Sequence, residues 1–253
     1  MIVIKTSKEI EYMQESGRIV ALAHEEIRKA IKPGVTTGEL DQIAEAIILA
    51  NGATASFKGY HGYPASICAS VNNQVIHGIP GGIVLKEGDI VSIDIGAFKN
   101  GYHGDAARTH PVGKVDEKAL ELIKVTEESF FEGLKYCRVG YRLSDVSHAI
   151  QKYAEERNFS VVRDFVGHGI GRLMHEDPPI PNYGAPGRGP RLEKGMALAI
   201  EPMINIGDFK VKVLDDEWTV ITKDGSLSAH YENTVIITDE APIIITCSKS
   251  EVT

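Results

Sequence analysis

The chain has 253 residues, 43% hydrophobic and 25% charged, a mix that allows a sizeable buried core in one large domain or two small ones. A formal net charge of -8 disfavours broad electrostatic attraction to nucleic acid or to an anionic membrane. Three scattered cysteines (Cys68, Cys137, Cys247) form no disulfide framework, no apolar run approaches about 18 residues, and MIVIKTSKEIEYMQ lacks a signal-peptide layout, so a cytoplasmic setting is expected.

Thr6-Ser7-Lys8-Glu9 reads as a capping box, and Ile10, Met13, Ile19, Val20, Ala23 and Ile27 recur near helical spacing, which predicts a first helix to about Ile31, before Pro33-Gly34. Thr36 and Glu39 form a second capping signal ahead of Leu40, Ile43, Ala44, Ile47 and Ile48, and Asn51-Gly52 ends that helix. Residues 66–112 turn to short strands, SICASVN, DIVSIDIGAF and YHGDAARTHPV. Helices are expected again from Asp116 to Cys137 and from Ser144 to Arg157, followed by the strand-like segments SVVRDFV, MALAIEPMI, VKVLDDEWTVIT and HYENTVIIT.

The order helix, helix, strands thus occurs twice. KPGVTTGELDQIAEAI resembles CRVGYRLSDVSHAIQKY, with Gly34 opposite Gly140; VIHGIP resembles VGHGIG; and LKEGDIVSID resembles LEKGMALAIEP, with Gly88 opposite Gly195 and Asp94 opposite Glu201. Three matches in the same order point to a duplicated fold with halves of about 1–113 and 114–253 in a single domain of 1–253. Such a duplication places one acid from each half at equivalent sites.

Asn100-Gly101 signals a two-residue hairpin, because both central positions of a type I′ turn need positive φ. Lys99 then pairs with Tyr102, Gly96 with Asp105 and Asp94 with Ala107, so Asp94 and Asp105 become diagonal neighbours on one sheet face. Lys99 and Arg108 fall on other parities, and Gly96 and Gly104 are expected to leave room around the acids. Carboxylates near a core need a positive partner, and a metal is the better one here. His168 lies between glycines in DFVGHGIGRLMHEDPP, His175 follows seven residues on, and His77 sits in the related IHGIP. His103 is read as a supporting group rather than a ligand, and His24, His61, His110, His148 and His230 carry no comparable context. Glu232 starts the last apolar strand. Asp94, Asp105, His168, Glu201 and Glu232 together offset two divalent charges, and oxygen ligands with one nitrogen suit Mn, Co, Fe or Zn.

These residues bring the chain to a known family. GYHGYPASICASVN, VIHGIPGG, GDIVSIDIGA, GYHGDAART, FVGHGIGRLMHEDP, GMALAIEPM and DGSLSAHYENT resemble the type I methionine aminopeptidases over nearly the whole length. The resemblance implies the pita-bread fold, an α/β (α+β) architecture of two pseudo-symmetric helix-helix-strand halves around a curved antiparallel sheet. It implies two divalent metal ions (Co, Mn, Fe or Zn), with Asp94 on one, Asp105 and Glu232 bridging, and His168 and Glu201 completing the other. Glu201 is implied to move protons, His175 to hydrogen-bond the scissile carbonyl, and His77 to contact the scissile amide nitrogen. The implied methionine pocket is Phe57, Tyr60, Tyr63, Cys68, Met174 and Trp218; Phe57 and Met174 depart from the residues common in the family.

The implied activity is removal of the initiator methionine when the next residue is small. The implied partners are N-terminal peptides of nascent proteins, with the ribosome left open; no membrane, no sequence-specific nucleic acid and a monomeric state are expected. Two alternatives compete: an Xaa-Pro peptidase on the same fold, and a non-catalytic binding protein that has lost its ligands.

Overall fold

The computed structural model describes residues 1–247. The expected domain span runs to 253, so 248–253 lie outside the described residues.

Both predicted capping boxes form. In α1 (Ser7–Ala30) the Thr6 side chain accepts from Glu9 N, and Glu9 reaches back to Thr6 N at 2.9 Å. In α2 (Thr37–Ala50) Thr36 and Glu39 repeat the arrangement, satisfying backbone donors that a helix start leaves open. The apolar stripe Met13, Ile19, Val20, Ala23 and Ile27 is fully buried. It packs α1 on the hairpin made by the strands Ile90–Lys99 and Tyr102–Pro111. α3 (Glu117–Leu134) is capped by Asp116, whose side chain accepts from Ala119 N at 2.8 Å, and α4 (Leu143–Glu155) starts with Asp145 accepting from Arg142 N at 2.8 Å. The helices α3 and α4 therefore end slightly short of the expected Cys137 and Arg157.

The hairpin has the register read from Asn100-Gly101: Lys99 faces Tyr102, Gly96 faces Asp105 and Asp94 faces Ala107. Asn100 and Gly101 have φ of 53° and 83°, the positive values that the turn requires. Ile67–Val71 and Thr54–Ala55 pair along the other edge of Ile90–Lys99. In the second half, five strands run in the order Ile243–Ile244, Asn233–Ile236, Ala197–Ile200, Gly167–Gly169, Glu176–Ile180. The two sheets meet where Ala107 and Glu232 exchange backbone hydrogen bonds, at 3.3 and 2.9 Å, and where the Thr234 hydroxyl bridges Asp105 N and O.

Corresponding parts of the two halves share local geometry. Gly34 and Gly140 have φ of 95° and 103°, and Gly88 and Gly195 have 93° and 88°. An antiparallel bridge joins Thr36 to Val84 in one half and Arg142 to Arg191 in the other. The mixed helix and antiparallel-sheet architecture is that of two pseudo-symmetric halves.

Several long strand-like segments are interrupted. SVVRDFV keeps only Ser160–Val161 as strand, and VKVLDDEWTVIT is a hairpin of Val211–Val213 and Val220–Thr222 around a turn. MALAIEPMI breaks into Ala197–Ile200 and Met203–Asn205, and HYENTVIIT into Ser228–His230 and Asn233–Ile236. Glu201 sits in the first break and Glu232 in the second, and Tyr231 N donates across to Pro202 O at 3.2 Å. Pro202 cannot donate to a ladder, which accounts for the first interruption.

The glycines also do more specific work than giving the acids room. A Cβ on Gly96 would lie 2.8 Å from Phe57 Cε1, whereas one on Gly104 would lie 2.8 Å from the backbone N of Gly17. Gly96 therefore admits Phe57 on the acid-bearing face, and Gly104 admits α1 on the opposite face. Gly17 in turn has the Ile245 carbonyl oxygen 2.1 Å from where its Cβ would be. Gly17→Ala should therefore destabilise the protein. The helix-propensity gain of roughly 1 kcal/mol is outweighed by an overpacking cost of roughly 1–3 kcal/mol and the displaced backbone contact, which urea unfolding will measure as a lower midpoint.

Candidate metal centre and substrate cavity

The acids gather at the junction of the two sheets. Asp94 and Asp105 come from the first-half hairpin, Glu201 and Glu232 from the two strand breaks, and His168 from the Gly167–Gly169 strand. His168 can stand so close to its neighbours because both flanking residues are glycine. A Cβ on Gly167 would lie 2.4 Å from Ala199 O, and one on Gly169 2.1 Å from Asp177 O. All five side chains line one cavity of about 130 Å³.

The ligand atoms have the disposition that a cation needs. His168 Nδ1 lies 2.9 Å from Gly169 O, and a carbonyl only accepts, so Nδ1 carries the proton. Nε2 then presents a lone pair 3.5 Å from Glu201 Oε1 and 3.9 Å from Asp105 Oδ2. A lone pair facing carboxylate oxygens is an arrangement of acceptors without a donor. Asp94 Oδ1, Asp105 Oδ1 and Glu232 Oε1 are likewise buried without hydrogen-bond partners. Ligand atoms of Asp105, His168 and Glu232 lie within 4.8 Å of one another, as do those of Glu201, His230 and Glu232. These donors fit divalent ions, in a hard, oxygen-rich set.

The electrostatics agree. Burial pushes Asp94 from its ordinary 3.8 up to about 7. Burial first, then the charges of Glu232 and Asp94, hold Asp105 well above the carboxylate range. Glu201 is raised by burial and by Asp94 and Asp105, and Glu232 by burial and by Glu201 and Asp94. Four clustered carboxylates, two of them buried and two partly so, do not stay ionised together without positive charge nearby. Burial pushes His168 down to about 3, which keeps its imidazole neutral, the form that binds a metal.

The remaining residues expected at the site line the same cavity: Phe57, Tyr60, Tyr63, Cys68, His77, Met174, His175 and Trp218. Tyr63 and Trp218 meet edge to face at 5.0 Å, and the Tyr63 hydroxyl donates toward Ile67 O and Gly78 O. Tyr60 Oη lies 2.7 Å from His175 Nδ1, and the His175 ring lies 4.2 Å from that of His168. Burial lowers His175 and pushes His77 to about 4, so both rings are neutral near pH 7. His103 stands apart from the cavity lining, with Nδ1 2.8 Å from Ser56 Oγ.

One residue was missed in the sequence. His230 is buried, with Nε2 unpartnered and 3.8 Å from Glu201 Oε2 and 4.0 Å from Glu232 Oε2. Its only sequence signal is position, two residues before Glu232 and at the end of the strand that breaks there.

A pseudo-symmetric α+β fold with an acid-rich cluster and adjoining imidazoles beneath its joined sheets defines a class of metal-dependent peptidases, and comparison with known proteins agrees. The model of metallopeptidase family M24 matches residues 11–239, and the chain belongs to that family. Within it, the chain is 58% identical over 249 residues to a methionine aminopeptidase from Clostridium perfringens, covering 98% of this chain and all of that one. It is 58% identical to methionine aminopeptidase 1 of Bacillus subtilis, covering 97% and 99% of the two chains. The crystal structure of methionine aminopeptidase from Thermotoga maritima superposes with a TM-score of 0.97 at 49% identity, covering 98% of this chain and all of that one.

The raised carboxyls give a pH test. An acid whose folded pKa is raised contributes stability at low pH that is lost as pH climbs through that pKa; for Asp94 the window runs from 3.8 to about 7. Buried histidines with lowered pKa values act in the opposite sense, so a difference isolates the acid. In metal-stripped protein, Asp94→Asn should melt several degrees above wild type at pH 7.5, with about 2–4 °C expected per kcal/mol, and the gap should shrink at pH 5. A gap that is constant across this range would contradict the electrostatic account.

Proposed function

We propose that the chain is a two-metal methionyl aminopeptidase that removes the initiator methionine from nascent proteins when the next residue is small. The observation that carries this is the joint lining of one cavity by the acid cluster and by aromatic and sulfur side chains. A single catalytic domain of 1–253, with pseudo-repeat halves of about 1–113 and 114–253, bears the site.

Asp94, Asp105, His168, Glu201 and Glu232 would hold the two ions, Co, Mn, Fe or Zn in kind. The ions supply the Lewis-acid and water-activating chemistry typical of paired-metal hydrolases. The chain's own groups do the rest. Glu201, which lines the cavity, takes the proton of the attacking water on its carboxylate and returns it to the leaving amine. Tyr60 Oη lies within hydrogen-bond distance of His175 Nδ1, and with Tyr60 as the donor Nε2–H is left to face the scissile carbonyl oxygen. His77, neutral and beside Trp218, contacts the scissile amide nitrogen. Phe57, Tyr60, Tyr63, Cys68, Met174 and Trp218 surround the methionine side chain, whose thioether packs on aromatic edges with roughly 0.3–1.5 kcal/mol per contact.

The finer setting belongs to the same reading. The enzyme acts as a cytoplasmic monomer on the N-terminal peptides of new chains, with the ribosome as a place of encounter. Among the described residues no helix is long and apolar enough to cross a membrane.

Peptide release decides between this reading and the Xaa-Pro alternative: Met-Ala-Ser should be cleaved and an Xaa-Pro peptide left intact, and the reverse preference would overturn the assignment. Asp105→Ala and Glu232→Ala should each lose activity and metal together, read by peptide release and by elemental analysis. His175→Ala should keep its metals and lose roughly 10²–10⁴ in turnover, the usual share of a positioned acid or base. Near-normal turnover in Asp105→Ala would remove the basis for the proposed centre.

A further inference from the structure

We propose that Lys5 is a positioning residue for His175, acting through a buried ion pair with Glu176 that fixes the 171–176 loop. The inference rests on the aminopeptidase reading, in which His175 faces the substrate carbonyl. Lys5 precedes α1 and is distant in sequence from the loop, yet its side chain is 2% exposed and that of Glu176 8%. Lys5 Nζ lies 2.5 Å from Glu176 Oε2 and donates also to Val3 O at 3.2 Å.

The contacts around this pair hold both ends of the loop that carries His175. Glu176 Oε1 accepts from Leu173 N at 3.3 Å, and Gly171 N donates to Leu173 O at 3.1 Å. The loop start is tied to the first-half hairpin by His103 N donating to Gly171 O, and Lys5 is tied to the second half by its own N donating to Gly195 O, each at 2.8 Å. Gly171 lies directly on the pair: a Cβ there would fall 2.4 Å from Lys5 Cε and 2.6 Å from Glu176 Oε1, so any larger residue would have to displace the two charged ends. Glu176 also opens the Glu176–Ile180 strand, whose first residue faces Gly169, the neighbour of His168. The pair therefore sets His175 relative to both the metal centre and the Tyr60 hydroxyl. Two opposite charges withdrawn from water hold one geometry well, because either charge alone would be buried without compensation.

The test uses the Mn-loaded enzyme and Met-Ala-Ser, with Lys5→Met and Glu176→Gln made in the wild-type and His175→Ala backgrounds. Lys5→Met should lower kcat roughly 10–100-fold, the scale of a misplaced catalytic group, with bound metal and KM unchanged and with most of the loss recovered in Lys5→Arg. In the His175→Ala background the same change should cost less than about twofold, because interacting sites are not additive. In the diamagnetic Zn-loaded protein, His175 ring resonances in NMR spectra should shift or broaden in Lys5→Met. Should Lys5→Met not fold, Glu176→Gln keeps the shape, loses the charge and carries the same comparison. An unchanged kcat, an equal loss in both backgrounds, or a lower melting temperature alone would overturn the proposal. If wild type does not cleave Met-Ala-Ser, the functional reading fails instead, and unmoved His175 resonances in Lys5→Met still decide this one.

Discussion

Four carboxylates gathered where two sheets join, Asp105 and Glu232 buried and Asp94 and Glu201 partly so, are the constraint around which the molecule is organised. Asp94, Asp105, Glu201 and Glu232 repel one another, and burial raises each above its ordinary range. The backbone spends ordinary hydrogen bonds to hold them there: Ala107 with Glu232, and the Thr234 hydroxyl with Asp105. A fold seeking stability alone would place apolar groups at this junction. Cations resolve the repulsion, and the chemistry follows from the cations.

The duplicated architecture explains how the acids arrive from far apart in the chain. Each half delivers an apolar strand toward the junction, with Asp94 midway along the first and Glu201 just past the end of the second. In the first half the strand continues through its acid into a long hairpin. In the second the strand breaks at its acid, with Pro202 following Glu201, and the neighbouring strand breaks at Glu232. The breaks free both glutamates from the alternation of a regular strand, so that they converge with residues of the other half. The apolar wall of the cavity is then assembled from loops on either side, with Tyr63 and Trp218 in edge contact.

Much of this was legible in the sequence where local rules are strict. Asn100-Gly101 specifies a turn, the turn specifies the register, and the register puts Asp94 and Asp105 on one face. Thr6 with Glu9 and Thr36 with Glu39 mark helix starts by a mechanism that needs no tertiary contact. His168 was visible through its glycines, since close backbone approach leaves a compositional trace. What was not legible depends on distant partners. His230 has no flanking glycine and no spacing motif, and its nearness to Glu201 arises only when the last two strand breaks face each other. The end of the strand at Val161 is hidden because Val162 is as apolar and β-branched as the strand itself, whereas the turn in VKVLDDEWTVIT coincides with the polar Asp215-Asp216-Glu217. The contact that requires Gly104 is equally hidden from the sequence, because its close neighbour is Gly17 of α1, far away in the chain.

The central claim is that the cluster holds two divalent ions together. Crystals grown with Mn and measured at its absorption edge test this most directly. The account predicts two anomalous peaks within coordination distance of Asp105 and Glu232, one of them reaching Asp94 and the other His168 and Glu201. Protein that binds no Mn there, or that holds its ions away from these five side chains, would contradict it.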